Sequence, residues 1–386
     1  DYAVDRAYET ACRPWARRIL VIDDLANREH DCEVLIDQTL GRTPDHYAGL
    51  TPAGCDLLLG PAYALLRDQF ATARDSADPP IDRAGRPILV SIGATDPLNV
   101  TPRVLHALES AANREPVDVV LGGASPHKQG VAAAAGSFGF PVALHYDVED
   151  MERLLSGCRF AIGAAGISAW ERCCLGVPTL MVVSADNQRF AARELEKAGA
   201  VSLIGDVESL SDDALADHLR RFIGDDERLQ AIARAAEQIC DGRGARRAAI
   251  AIAPVSAKNG RSVTLRPATM ADADVILAWQ RAPETRRFAR SQEAPNEDEH
   301  GAWMRKNLGD PACILNMVLH DGRPSGVLRM DRLQAAAPGP SAFEVSIYTA
   351  PGKYRLGIGA SALDLGRRLL PRSTFVAHVL PDNKAS

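Results

Sequence analysis

Between residues 87 and 199, short runs of branched apolar residues alternate with amphipathic stretches, and this alternation constrains the chain more than any other feature. PILVSIG (87–93), VDVVLGG (117–123), PVALHYDV (141–148), FAIGAAG (160–166) and TLMVV (179–183) predict strands. TPRVLHALESAA (101–112), DMERLLSGC (150–158), Ser168 to Leu175 and NQRFAARELEKAG (187–199) predict helices. Near-continuous apolar strands separated by helices imply a parallel sheet covered on both faces. Right-handed crossovers then give a Rossmann-like α/β domain. Residues 210–242 supply closing helices.

The flanking segments extend this pattern and then change it. RRILVIDDLA (17–26), CEVLIDQTL (32–40) and CDLLLGP (55–61) predict further buried parallel strands, and YALLRDQF (63–70) a helical turn or two. ARDSADPPIDRAGRP (73–87) and APVSAKNGRS (253–262) predict linkers. VTLRPATMADADVILAWQ (263–280) opens a new unit with a strand and a helix capped near Asp272. A hairpin follows within 313–330, turning at His320-Asp321-Gly322. AFEVSIYTA (342–350) is a strand before a glycine-rich turn and a helix. His300 and Trp303 lie in the helical EDEHGAWM and need no role beyond packing or surface.

The 386 residues exceed one ordinary domain. A net charge of −6 argues against nucleic acid or an anionic membrane as the main partner. No apolar run approaches the roughly 20 residues of a membrane span, and no secretory signal opens the sequence. The 8 cysteines form no CxxC pair, and no His cluster has zinc spacing. Reduced, mostly buried thiols in a cytoplasmic protein are expected, with no metal. The start at Asp1-Tyr2 and the stop at NKAS in mid-pattern suggest a piece of a longer polypeptide.

The chemistry centres on FAIGAAGISAWERCCLGVPTLMVVSADNQ (160–188). Open α/β sheets bind ligands at the carboxyl ends of their strands. Gly163 and Gly166 allow close backbone approach, and free amides at Ile167 and Ser168 favour an anion such as a diphosphate. Glu171, about one turn on, is placed to accept a ribose diol. Ser168-Ala169-Trp170-Glu171 also fits a capping box closed by Gly176 and Pro178, which needs no ligand. A second glycine turn at Gly93 and Thr95, and Asn187-Gln188 capping the next helix, converge on the same rim. That convergence favours a nucleotide site.

SIGATDP, GAAGISAWERCCLGVPTLMVV and ADNQ resemble the nucleotide-binding lobe of the UDP-2,4-diacetamido-2,4,6-trideoxy-β-L-altropyranose hydrolases of pseudaminic acid biosynthesis. ILVIDDLANREHDCEVLIDQTL and LLLGPAYALLRDQF are similar to that family's connecting segment, so the resemblance covers about residues 1–205. It implies a glycosyltransferase-B-like pair of Rossmann-like lobes, the first truncated, holding a UDP-sugar between them. It places Glu171 on the ribose, Gly166 to Ser168 near the diphosphate, residues near Val148 at the uracil and Asn187 near the sugar. The family's Tyr corresponds to Tyr2, and the resemblance implies Tyr2 and Asn187 as the catalytic residues. Its glycine-rich turn with a catalytic His has no counterpart here, and Asp37-Gln38-Thr39 stands for Asp-Gln-Asn. The chain is therefore expected to be incomplete for hydrolysis.

AFEVSIYTAPGKYRLGIGASALDLGRRLL resembles the acetyl-CoA-binding core of GNAT N-acetyltransferases, an α+β fold. The resemblance implies a pyrophosphate held by the turn at Arg355, Gly357, Gly359 and Ala360, although Tyr354 occupies the usual basic position. AHVLPDNKAS is similar to that family's final strand and Asn-led helix. The resulting expectation is a fused enzyme: residues 1–80 as the first-lobe remnant and connecting segment, 85–252 as the UDP-binding lobe and 262–386 as the acetyltransferase. Acetyl-CoA would be its co-substrate. A glycosyltransferase of the same architecture, or a module that binds UDP-sugar without turnover, are the alternatives.

Overall fold

A computed structural model describes residues 3–76, 83–287, 289, 291–333 and 340–380. The chain forms two compact units, Asp1–Gly244 and Ala245–Ser386.

The first unit opens with α1 (Arg6–Cys12), followed by β1 (Leu20–Ile22), β2 (Val34–Asp37) and β3 (Asp56–Leu59). These strands pair in parallel, in the order β1-β2-β3. The helix expected over 63–70 does not form there. Pro61–Tyr63 make one tight turn, the Leu65 amide is drawn to the Gln38 side chain at 3.1 Å, and α2 spans Asp68–Ser76. A side chain of the preceding sheet thus claims a backbone donor that a helix would use. Ala64, Leu66 and Phe70 are buried in the core of the following sheet.

That sheet is built from β4 (Ile88–Ser91), α3 (Val100–Ser110), β5 (Val117–Leu121), α4 (Lys128–Ala134), β6 (Val142–Tyr146) and α5 (Met151–Gly157). It continues with β7 (Ala161–Ala164), α6 (Ser168–Cys174), β8 (Thr179–Val183), α7 (Arg189–Lys197), β9 (Ser202–Asp206), α8 (Asp212–Ile223) and α9 (Asp226–Ile239). All neighbours are parallel, in the order β6-β5-β4-β7-β8-β9. This is the doubly wound order, which reverses between β4 and β7. Ile88, Val90, Ile162, Leu180 and Val182 pack on one face with Val104, Leu219 and Phe222. Leu89, Ala161, Met181 and Val183 pack on the other with Phe70, Leu155, Trp170 and Leu195. The strand period of two thus splits each apolar run between two cores, giving the α/β architecture expected from the alternation. The sequence pattern did not reveal α4 or β9. α4 buries only Val131, and β9 is mostly half-buried, so neither shows a strong period.

The second unit contains α10 (Gly244–Ile252), β10 (Val255–Ser256), β11 (Ser262–Pro267), α11 (Ala273–Arg281), α12 (Pro283–Arg286) and α13 (Glu297–Leu308). After these come β12 (Cys313–His320), β13 (Arg323–Arg332), β14 (Ala342–Thr349), α14 (Ile358–Leu369) and β15 (Thr374–Val376). The strands pair in chain order, antiparallel except for β14 with β15. The stretch expected to be a linker, 253–262, instead pairs β10 with β11, Val255 opposite Val263. Gly260, at φ +77°, makes that turn possible, and Ala257 is buried in the core. The expected hairpin turns through Asp321 and Gly322, both at positive φ, as a right-twisted two-residue turn requires. The last strand is TFV, 374–376, and not AHVL; residues 377–380 have no regular structure. The expected Asn-led helix falls in 381–386, outside the described residues.

Candidate functional site

The carboxyl ends of β4, β7 and β8 lie side by side, because these strands are neighbours in the sheet. At about 4.8 Å per strand, their loops fall within roughly 10 Å of one another. Gly93 follows β4 at φ +144°, and a Cβ there would meet nothing within 4 Å. Its backbone conformation, rather than packing, calls for glycine. Thr95 is exposed, and its carbonyl accepts a hydrogen bond from Ser125 Oγ at 3.2 Å. Asp96 is buried and accepts from the Val100 and Thr101 amides, both at 2.9 Å, which fixes the start of α3.

The turn after β7 is built differently from a capping box. Ile167 already has helical angles, φ −53° and ψ −37°, so Ser168 lies inside the helix and cannot cap it. Ser168 Oγ instead accepts from Arg172 Nη1 at 3.1 Å, while Arg172 Nη2 donates to the Ala164 carbonyl at 2.6 Å. Gly163 makes room for this: a Cβ there would sit 2.6 Å from Arg172 Nη1 and 2.8 Å from the Ser91 carbonyl. Gly166 has open space around it, and Ile167 is exposed. At the far end, Gly176 takes φ +56° and the Val177 amide donates to the Arg172 carbonyl at 2.9 Å, so the helix closes where the sequence predicts.

Released from the capping box, the half-buried Glu171 carboxylate has no hydrogen bond or ion pair among the described residues. Burial pushes its carboxyl above the usual range, against the pull of the Arg172 and Arg67 charges. Arg67 escaped sequence reasoning. It arrives on the segment that crosses from the first sheet, where Arg67 Nη1 donates to the Glu149 carbonyl at 2.5 Å. No local pattern could announce a contact across 82 positions.

Asn187 lies on the single turn Asp186–Gln188 after β8. Gln188, at the N-cap of α7, makes no side-chain cap bond to that helix. Gln188 has helical angles, and its Oε1 accepts from the Ser184 amide at 3.0 Å and hydroxyl at 3.2 Å. This folds the loop back on the end of β8. Val148 follows β6 and packs, half-buried, against the core cluster that includes Met151 and Ala165. Tyr2 lies outside the described residues.

A buried polar network closes the ends of β1 and β2. The Tyr47 hydroxyl lies 3.0 Å from Asp23 Oδ2 and 2.8 Å from Asp37 Oδ2. Arg28 pairs with Asp23 and Arg42 with Asp37, each at 2.7 Å. Burial raises the Asp23 carboxyl, but the Ala26 amide, the Tyr47 hydroxyl and Arg28 together hold it below its ordinary value.

In the second unit the turn before α14 holds Gly352 at φ +75°, Arg355 at +61° and Gly357 at +84°. Gly357 is doubly required, since a Cβ would also lie 2.7 Å from Lys258 Cγ. Gly359 has an ordinary φ, and its nearest neighbour to a Cβ is at 4.0 Å. The first α14 amides, at Ile358, Gly359 and Ala360, have no carbonyl behind them in the helix. β14 pairs with β15 from Ala342 to Glu344 and runs on to Thr349, beyond the end of β15. A glycine-rich turn that presents free helix amides can accept a pyrophosphate.

Among the described residues, no cluster of His, Cys, Asp or Glu is placed to hold a metal ion. No helix among them is long and apolar enough to cross a membrane. All 8 cysteines are free thiols.

No family model matches the chain. It is 28% identical over 187 residues to the spore coat polysaccharide biosynthesis protein SpsG of Bacillus subtilis (strain 168), covering 48% of this chain and 54% of that one. The chain spans about half the length of the curated relatives it matches. Among solved structures, Acinetobacter baumannii MurG gives a TM-score of 0.45 at 16% identity, over 64% of this chain and 70% of that one. The aminoglycoside acetyltransferase AAC(6')-Ib in complex with coenzyme A gives 0.29 at 17% identity, over 32% of this chain and 78% of that one. The chain is thus similar in sequence to a polysaccharide-biosynthesis protein, and its own strands form a parallel α/β unit followed by a mostly antiparallel α/β unit.

Proposed function

We propose that the first unit binds the UDP moiety of a nucleotide sugar on the rim after β4, β7 and β8. The observation that carries this reading is Glu171: a half-buried carboxylate without a partner among the described residues, beside the strand-order reversal. Such a group suits the paired hydroxyls of a ribose. The backbone at Gly166, Ile167 and Ser168 would face the diphosphate, with Gly93, Thr95 and Gln188 shaping the rim, Val148 toward the base and Asn187 toward the sugar. The relative's name, spore coat polysaccharide biosynthesis protein, supports a sugar substrate.

The finer reading is hydrolysis of UDP-2,4-diacetamido-2,4,6-trideoxy-β-L-altropyranose, in pseudaminic acid biosynthesis. Water attacks the anomeric carbon, the bond from that carbon to the diphosphate oxygen breaks, UDP leaves with the bonding electron pair, and the proton lost by the water passes to solvent. Positive potential at the turn would stabilise the departing charge. The second unit, by its glycine cradle, is read as an N-acetyltransferase taking acetyl-CoA at Arg355, Gly357, Gly359 and Ala360. The two activities fit one route, since the sugar carries N-acetyl groups. Both co-substrates belong to the cytoplasm.

The test is release of UDP and free sugar from that substrate, without added metal, by the full-length protein and by its Glu171→Ala and Asn187→Ala variants. Release of both products in water, weakened in both variants, supports the reading. UDP binding without release overturns the hydrolase and leaves a transferase or a binding module.

A further inference from the structure

Arg172 is an unusual residue for its position. It is 2% exposed, yet no carboxylate pairs with it among the described residues. Its Nη atoms hold the Ala164 carbonyl and the Ser168 hydroxyl, both neutral, and its Nε has no partner. The adjacent Glu171 acts on it only at longer range. Burial lowers its pKa to about 10, so it remains charged at neutral pH. A buried charge without a counter-ion is costly. Here the chain accommodates it by keeping Gly163 free of a side chain and by turning Ser168 inward. α6 has only 7 residues, so its end is a weak source of positive potential.

Resting on the nucleotide-site reading above, we infer that Arg172 is the buried cation of the β7–α6 turn, and that the ligand's diphosphate is its missing counter-ion. Arg172 then acts through the turn as a positioning and electrostatic residue. It fixes the Ala164 carbonyl and the Ser168 side chain from beneath while its charge draws the anion to the amides above. The energetic signature is a preference for phosphate that depends on the charge at position 172 and not on the base or ribose.

The experiment compares affinities for UDP and uridine by calorimetry and competition, in wild type, Arg172→Gln and Arg172→Lys. Gln keeps an amide donor for the Ala164 carbonyl and removes the charge; Lys keeps the charge. The expected result is that Arg172→Gln weakens UDP by about tenfold or more with uridine nearly unchanged, while Arg172→Lys keeps the UDP-to-uridine ratio within about threefold. An unchanged ratio in Arg172→Gln overturns the inference and leaves the nucleotide site standing. Failure of the wild type to bind UDP overturns both. If Arg172→Gln does not fold, a collapsed ratio in folded Arg172→Lys overturns the inference, because charge alone would not then account for the preference.

Discussion

The guanidinium of Arg42 lies 4.5 Å from the ring centroid of Phe190, while its Nε donates to Asp37 Oδ2 at 2.7 Å. One side chain therefore joins the end of β2 to the start of α7, three positions beyond Asn187. The Gly41 backbone packs against Glu194 on the same helix, and His46 meets Phe190 edge-on at 5.8 Å. Arg42→Met should destabilise the first unit by about 3 kcal/mol, because it strands a buried carboxylate. Urea unfolding measures this. Phe190→Ala, which leaves the ion pair intact, should cost less.

Tyr47 supplies one hydroxyl to two buried carboxylates. Tyr47→Phe should cost about 1–3 kcal/mol, the penalty for leaving a buried acceptor unmade. The Asp23 carboxyl is depressed when folded, so its contribution is present above the ordinary aspartate range and lost as pH falls through the lower folded value. Acid unfolding should therefore begin at a higher pH in Tyr47→Phe than in wild type.

Glu171 gives the opposite sign. Its carboxyl titrates above the ordinary glutamate value because it is buried. A ribose diol needs the ionised form, so UDP affinity should fall as pH drops through that raised value, earlier than an exposed glutamate would dictate. Binding titrations from neutral pH downward, beside a variant with an exposed carboxylate only, would show it. Glu171→Gln should bind more weakly at neutral pH and lose the dependence.

Two glycines in the second unit separate packing from ligand approach. Gly357→Ala meets both a positive φ and Lys258, and should cost about 1–3 kcal/mol of stability. Gly359→Ala meets nothing closer than 4.0 Å, so its melting temperature should hold while coenzyme A affinity drops. Thermal unfolding and coenzyme A titration together distinguish the two. Equal coenzyme A affinity in Gly359→Ala and wild type would count against the cradle.

The sequence alone determined the periodic part of this protein. Apolar runs such as TLMVV and FAIGAAG, spaced by helical stretches, dictate a parallel sheet whatever the remaining contacts, because each run must be buried on both faces. Glycines at 93, 176 and 357 were legible for a related reason: their backbone angles are local demands. Tertiary structure decided what depends on partners distant in sequence. The S-x-x-E pattern left a cap open as an alternative, but the buried Arg172 took the Ser168 hydroxyl and left the Glu171 carboxylate unbonded among the described residues. Gln38 held Leu65 and delayed α2, and Val263 drew the apparent linker at Val255 into the sheet. A short motif offers its donors and acceptors to whatever packs against it, and only the fold determines which partner arrives.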